Sequence, residues 1–129
     1  MPTPYTFSPA ALIAAHTAFL NLIDTGAAAN ATITVHDIAD VLLGTITLDA
    51  PSGVVNGTTG QLAFTILTQE ASAPATGEID HIKIRDRDAV EHLTIPATFG
   101  AEPVAGYAVF NTLFVQAGKP VEIDSLTLG

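Results

Sequence analysis

The first quarter of the chain carries a helical pattern of hydrophobic positions. Ser8 and Pro9 supply an N-cap residue and a proline suited to the first helical position. Gly26 stands just past the last apolar position, where a helix commonly ends. The apolar face consists of Leu12, Ile13, Phe19, Leu20 and Ile23, with His16 among them. The pattern predicts one α-helix over about residues 9–24.

From residue 31 onward the hydrophobic pattern changes to a period of two. Thr, Val and Ile are enriched in these runs, and segments rich in Gly, Pro, Asp and Ser separate them. The alternating apolar positions are Ile33, Val35, Leu42, Ile46, Leu48, Leu62, Phe64 and Ile66. Near the end of the chain, the apolar parity switches around Asp124 and Ser125, which predicts a β-bulge there.

One helix followed by many short strands favours a mainly β fold. We predict a β-sandwich or jelly-roll-like domain with an N-terminal helix, because no second helix separates the strands as a parallel α/β sheet requires. Residues 1–7 contain two prolines and two aromatic residues without periodicity, so we expect an extended N-terminal arm before a single domain over residues 8–129. Tyr5 and Phe7 in this arm pack either on their own domain or on a neighbouring subunit.

The composition indicates an assembly. Hydrophobic residues make up 48% of the chain and charged residues only 13%, against about 25% charged in ordinary globular proteins. A chain with so few charges leaves much apolar surface uncovered, and contact with other subunits would bury it. We therefore expect a homo-oligomer.

Charge and cysteine content exclude several classes of protein. The net charge is −9 and no Lys or Arg precedes Lys83, so we expect no binding to nucleic acid through phosphate contacts. The same lack of basic residues predicts that the chain has no secretory signal, and we expect no membrane partner. Without cysteine, disulfides and thiolate metal sites cannot form.

Charged side chains are concentrated in residues 75–95, which hold eight of the 17 charged residues and two of the four histidines. Alternation over Ile79–Arg85 predicts that Asp80 lies on the inward face together with Ile82 and Ile84. It predicts that Ile79 lies on the outward face together with His81 and Lys83. The sequence "DRDA" at residues 86–89 predicts a turn, and "VEHLTI" predicts a return strand. We interpret this stretch as a solvated ionic hairpin in which Lys83 and Arg85 face the side chains of the returning strand.

The sequence contains no established catalytic or metal-binding spacing. Catalysis by a pair of carboxyl groups requires that their pKa values differ. Each acidic residue of the hairpin lies beside a basic residue or in an exposed turn, and such surroundings shift a pKa little. His81 and His92 could share zinc with Glu91 or Asp80, but neither an H-x-H nor an HExxH spacing is present. His16 is expected to be a packed residue with one hydrogen bond. We predict no catalytic, cofactor-binding or metal-binding residue and no enzyme activity, with an enzyme built from residues distant in sequence as the alternative.

Four segments resemble small β-rich virion proteins of tailed bacteriophages. They are Val41–Leu48, Gly60–Leu62, Ala71–Ala89 and Ala117–Gly129. The similarity covers most of residues 30–129. In the family pattern a basic residue occupies the place of Lys83, and a glycine stands where this chain has Ala89. Alanine disfavours φ > 0, so we expect the hairpin turn to differ from the family at this position.

The resemblance implies a structural protein of the virion, with head decoration (cement) as the first expectation. Such a protein is made in the host cytoplasm, forms a homotrimer and binds the major capsid protein on the outer capsid surface, where it bridges capsomers. A neck, tail or fibre component is the alternative within the virion. A carbohydrate-binding or adhesin module is the alternative of another class, although the chain has no Trp and only two Tyr. The aromatic residues that could anchor an assembly interface, or equally belong to the core, are Tyr5, Phe7, Phe99, Tyr107, Phe110 and Phe114.

Overall fold

A computed structural model describes residues 7–27 and 30–129. Most of the proposed N-terminal arm, including Tyr5, therefore lies outside the described residues. The elements are α1 (Pro9–Ile23), β1 (Thr32–His36), β2 (Leu42–Val55), β3 (Leu62–Thr68), β4 (Gly77–Glu78), β5 (His81–Arg85), β6 (Glu91–Phe99), β7 (Ala108–Phe110), β8 (Phe114–Val115) and β9 (Ile123–Leu128).

Helix α1 forms where the sequence predicts it. The Ser8 hydroxyl accepts a hydrogen bond from the Ala11 N–H at 3.2 Å, which satisfies one of the free donors at the helix N-terminus. Leu20 and Ile23 are the buried residues of the helix and pack against the barrel core. The prediction of a single N-terminal helix is confirmed.

Seven strands form a closed barrel in the order β1-β2-β3-β9-β7-β6-β5, and β5 pairs back with β1. The pairs are antiparallel except for the parallel pair β6 and β7. Strands β4 and β8 form a separate two-stranded sheet. The mainly β class is thus confirmed, but the strands form a closed barrel where a two-sheet sandwich was expected. Strand periodicity does not specify that β1 pairs with β5, and this pairing closes the barrel.

The barrel interior is filled by the alternating apolar residues of its strands. Fully buried residues include Ile33, Val35, Ile46, Leu48, Ile82 and Ile84. All three residues of β7 are buried, and Phe110 is among the largest side chains without solvent exposure. Phe110 is therefore a core residue, which corrects its assignment as an interface anchor.

Strand β5 begins later than the alternation predicts. The strand starts at His81, and the preceding Ile79 is buried while Asp80 is exposed. The Ile79 N–H donates to the Leu113 carbonyl, so this residue already belongs to a connection and no longer follows the strand parity. The predicted faces of Ile79 and Asp80 are wrong, whereas those of the residues within β5 are confirmed.

Strands β3 and β9 meet along an incomplete seam. Backbone pairing joins only Leu62 and Ala63 of β3 to the end of β9. Further along, the Gln69 amide donates to the Ile123 carbonyl and accepts from the Ile123 N–H, both at 3.0 Å, as a backbone peptide would. In β9 itself, the register against β7 skips Asp124, which confirms the predicted bulge.

Two hairpin turns have the same backbone design. We call residues 37–41 the first turn, between β1 and β2, and residues 86–90 the second turn, between β5 and β6. In the first turn, Oδ1 of Asp37 accepts from the N–H groups of Ala39 and Val41, both at 2.9 Å. In the second turn, Oδ1 of Asp86 accepts in the same way from the residues two and four positions later, at 2.8 and 3.0 Å.

Each turn contains one residue in the left-handed backbone region. Asp40 has φ 67° in the first turn, and Ala89 has φ 61° in the second. The second turn therefore has a positive φ at a position occupied by alanine, which adopts it despite its Cβ. The predicted difference from the family turn at Ala89 stays a prediction.

Candidate functional site

A cluster of polar side chains lies on the outside of the barrel where β1, the first turn and β5 meet. We call His36, Asp40, Asp80, His81 and Lys83 the polar cluster. His36 and His81 are directly paired in the antiparallel register of β1 and β5. Because Val35 of β1 and Ile82 of β5 point into the core, the adjacent residues His36 and His81 point to the other face of the sheet and meet there.

His81 is held between two carboxylates. Its Nε2 lies 3.0 Å from Oδ1 of Asp40 and its Nδ1 lies 2.8 Å from Oδ2 of Asp80. A neutral imidazole carries a single N–H, so two such contacts match the protonated ring, which donates from both nitrogens. Partial burial opposes the charge, but the hydrogen bonds to Asp80 and Asp40 outweigh it and raise the pKa of His81.

His36 has the opposite protonation preference. It is buried, and burial lowers its pKa. Its Nδ1 lies 3.2 Å from the Asp40 carbonyl oxygen, which can only accept, and its Nε2 lies 2.8 Å from the Thr34 hydroxyl. A neutral ring protonated on Nδ1 satisfies both contacts. The two imidazoles are stacked with centroids 5.4 Å apart and planes 11° from parallel, so a neutral ring packs against a charged one.

Asp40 links the members of the cluster. Its Oδ2 accepts from Nζ of Lys83 at 2.8 Å, and its Oδ1 faces both histidines. The hydrogen bonds from Lys83 and His81 lower the pKa of Asp40 to about 2. Its carboxylate in turn raises the pKa of Lys83. The carboxylate of Asp40 is therefore ionised at neutral pH.

An acidic groove lies beside the polar cluster. It has a volume of about 350 Å³ and is lined by Asp37, Ile38, Glu78, Ile79 and Asp80. Three of these five side chains are carboxylates, and Ile38 is 87% exposed at its rim. The site is thus open to solvent and carries negative charge, which favours cations over anions.

The charged residues of the hairpin are divided between the polar cluster and the second turn. The expected cross-strand pair between Arg85 and Glu91 forms, at 2.9 Å. Lys83 instead contacts mainly Asp40, with Glu91 at 3.7 Å. The structure does not bring together His81 and His92, which were weighed as a shared zinc site, because His81 faces Pro96 in the β5–β6 register while Nε2 of His92 bonds Oδ2 of Asp86 at 2.8 Å in the second turn.

Sequence reasoning missed His36 and Asp40. His36 occupies an outward position of β1, and Asp40 is separated by about forty residues from His81, so no local spacing connects them. The repeated pattern of "HDIADV" at residues 36–41 and "RDRDAV" at residues 85–90 would have revealed two like turns. His16 behaves as expected, since its Nδ1 bonds the Gly60 carbonyl at 2.6 Å.

The aromatic residues predicted as interface anchors separate into surface and core. Phe99, Phe114 and Tyr107 are 69%, 63% and 41% exposed, and we call these three residues the aromatic surface. Phe99 ends β6 directly opposite the buried Phe110 of β7, and Phe114 begins β8. Phe7 is 53% exposed at the start of the described residues.

A comparison of the chain with protein-family models, with curated proteins and with solved structures finds no match. Among the described residues, no helix is long and apolar enough to cross a membrane.

Proposed function

We propose that the protein is a non-enzymatic structural protein of a virion. In this proposal it decorates the outer surface of the capsid as a homotrimer and bridges neighbouring subunits of the major capsid protein. The observation that carries the proposal is the exposure of Phe99 and Phe114, each more than 60% accessible on a chain with few charges. The resemblance of residues 30–129 to small β-rich virion proteins supplies the kind of partner.

Exposed aromatic rings are effective anchors for a protein interface. Phenylalanine buries a large apolar area and loses little side-chain entropy, and burying each exposed ring contributes about 1–2 kcal/mol. A few such anchors account for most of the binding energy in ordinary interfaces. In a trimer each anchor is present three times, so simultaneous contacts with the lattice turn a modest affinity into stable attachment.

Strand pairing in the barrel and in the separate two-stranded sheet supports this surface. Phe99 is fixed by the pairing of β6 with β7, and Phe114 by the pairing of β8 with β4. A sandwich or jelly-roll-like arrangement, as the sequence predicts, would present such residues in the same manner, since either architecture places connections around a packed core.

The test compares binding of three proteins to capsids stripped of their decoration. Wild type is expected to be a trimer by light scattering and to co-sediment with the capsids. Phe99→Ser together with Phe114→Ser is expected to reduce capsid affinity at least tenfold while the circular dichroism spectrum is kept. Val54→Ser is the matched control, because Val54 is also 63% exposed but lies on β2. Its affinity should equal that of wild type.

A monomeric wild-type protein without capsid affinity would contradict the proposal. Equal losses in the control and in the double variant would show that the aromatic surface is not the anchor. Imaging of labelled intact particles separates decoration from the neck, tail or fibre alternative. A clear hit on a glycan array would instead favour the carbohydrate-binding alternative.

A further inference from the structure

We infer that the polar cluster is a binding site for a divalent transition-metal ion of the zinc class. One ligand atom from each of His36, Asp40 and His81 lies within 4.8 Å of the other two, and we assign Nδ1 of His36, Oδ1 of Asp40 and Nε2 of His81 as the ligand atoms. This inference concerns the isolated chain and is independent of the proposed role in the virion.

The separations of these atoms suit one small ion. Oδ1 of Asp40 lies 3.5 Å from Nδ1 of His36 and 3.0 Å from Nε2 of His81. Ligand atoms around a tetrahedral zinc ion with bonds of about 2.0–2.1 Å lie about 3.3 Å apart. The protein therefore holds the Asp40 oxygen near the required spacing from each histidine nitrogen before any ion is bound, and β1, the first turn and β5 each supply one of the three donors.

The nitrogens that face away from the ligand position have partners of their own. Nδ1 of His81 bonds the Asp80 carboxylate at 2.8 Å, and Nε2 of His36 bonds the Thr34 hydroxyl at 2.8 Å. Ligating histidines typically bond such an outer group through the second ring nitrogen, which selects the nitrogen that meets the metal. In both histidines the outer partner thus holds one nitrogen, and the other nitrogen, which bonds Asp40 in the ion-free protein, is the one directed at the ligand position.

The ion competes with a proton and with a neighbouring cation. Binding displaces the proton on Nε2 of His81, which is released to solvent, and the neutral His36 ring moves its single proton from Nδ1 to Nε2, where it can donate to the Thr34 hydroxyl. Lys83 contacts Oδ2 of Asp40, so Oδ1 stays available. The two rings are nearly parallel, so one of them turns about its Cβ–Cγ bond to direct both lone pairs at the same ion. Water completes the coordination, since the Asp40 side chain is 55% exposed.

The donor set selects the kind of metal. Two imidazoles and one carboxylate suit Zn²⁺, Co²⁺ and Ni²⁺, whereas Mg²⁺ and Ca²⁺ require a shell made of oxygen atoms. The acidic groove next to the cluster and the net charge of −9 raise the local concentration of cations.

The first experiment is titration of the full chain with Zn²⁺ and Co²⁺ by calorimetry and by the visible absorption of Co²⁺. Wild type is expected to bind one ion per chain, with no heat from Mg²⁺ at the same concentration. His81→Ala and Asp40→Asn are each expected to weaken binding at least tenfold. His92→Ala is the matched control, because His92 also bonds an aspartate but in the second turn. Its affinity should equal that of wild type.

The second experiment needs no variant. In NMR spectra of the wild-type protein, Zn²⁺ is expected to shift the ring signals of His36 and His81 and to leave those of His16 and His92 in place, and a chelator should reverse the shift. Absence of zinc binding would overturn the inference. Equal affinity of wild type and His81→Ala, or zinc shifts confined to His16 or His92, would overturn it as well.

Discussion

The two hairpin turns share a backbone and differ in their chemistry. Residues 36, 37, 40 and 41 of one hairpin correspond to 85, 86, 89 and 90 of the other. The pairing register slips at the same step in both hairpins, just before residue 36 and just before residue 85. The strand pair β1–β5 joins the hairpins so that His36 faces His81 at one end and Arg85 faces Thr32 at the other.

The side chain at the left-handed position decides what each end can do. In the first turn this residue is Asp40, whose carboxylate contacts Lys83 and His81. In the second turn it is Ala89, whose methyl group offers no hydrogen bond. The residue facing the turn also changes, from His81 to Thr32. The same backbone design thus carries the polar cluster at the first turn, whereas the second turn has Ala89 in place of Asp40 and faces Thr32 in place of His81.

The two turns also differ in what lies next to them. The second turn is attached to the segment after α1, because the Arg87 N–H donates to the Thr25 carbonyl and the Ala27 N–H donates to Asp88. The first turn borders the open acidic groove. The second turn therefore serves to hold the helix, while the first presents side chains to solvent.

The largest effect is expected from Gly26→Ala, which breaks the attachment of the second turn. A Cβ at Gly26 would lie 2.7 Å from Cβ of Arg87 and 2.8 Å from the backbone of Asp88, and φ is +136°. Overpacking against backbone and the disfavoured φ together cost about 2–4 kcal/mol in the free energy of unfolding, measured with urea. Gly57→Ala is the control with open space around it. Equal stability of the two variants would refute this attachment.

A smaller effect, of opposite sign, is expected from Ala89→Gly. Relief of the left-handed conformation should stabilise the protein by about 1 kcal/mol, seen as a higher Tm. The corresponding change Asp40→Gly gives the same backbone relief but removes the contacts to Lys83 and His81. The Tm of Asp40→Gly should therefore lie below that of Ala89→Gly. If the two variants had the same Tm, the polar cluster would contribute nothing to stability.

The polar cluster at the first turn should make the stability of the protein depend on pH. The pKa of Asp40 falls to about 2, so its contribution is present above 3.8 and is lost as the pH falls towards 2. The pKa of His81 is raised above 6.5, so its contribution is complete below 6.5 and is lost as the pH rises through the folded-state value.

These two limits place the maximum stabilisation by the cluster between about pH 4 and 6.5. The difference in unfolding free energy between wild type and Asp40→Asn, measured by urea unfolding with EDTA present, should be largest near pH 5.5. It should be smaller at pH 8.5, where His81 loses its proton, and also smaller at pH 2.5, where the Asp40 contribution is partly lost. A difference that is constant over this range would contradict the assigned protonation states.

The smallest effect is expected from Glu91→Gln, which removes the ion pair with Arg85 beside the second turn. Arg85 is 29% and Glu91 44% exposed, and such surface pairs contribute about 0.2–1 kcal/mol. The loss should disappear in 1 M NaCl, because salt screens exposed charges. A larger loss that persists in high salt would show that Glu91 supports the cluster through Lys83 as well.

The sequence predicts local features of this protein well and long-range pairing poorly. Ser8 and Pro9 specify where α1 begins, and the parity switch at Asp124 specifies the bulge, because both signals lie within a few residues. The closed barrel depends on the register of β1 against β5, which hydrophobic alternation does not encode. The polar cluster depends on the same register, since His36 meets His81 only through that pairing.

The Gln69 bridge across the seam has a consequence for the order of folding. The β1–β2 and β5–β6 hairpins connect residues close in sequence and form quickly, whereas Gln69 meets Ile123 only after a loop of more than fifty residues has closed. Few backbone bonds support β3 against β9. We therefore expect circularisation of the sheet to come late in folding, when the Gln69 amide and the backbone bridge between Glu70 and Val121 extend the short pairing of β3 with β9.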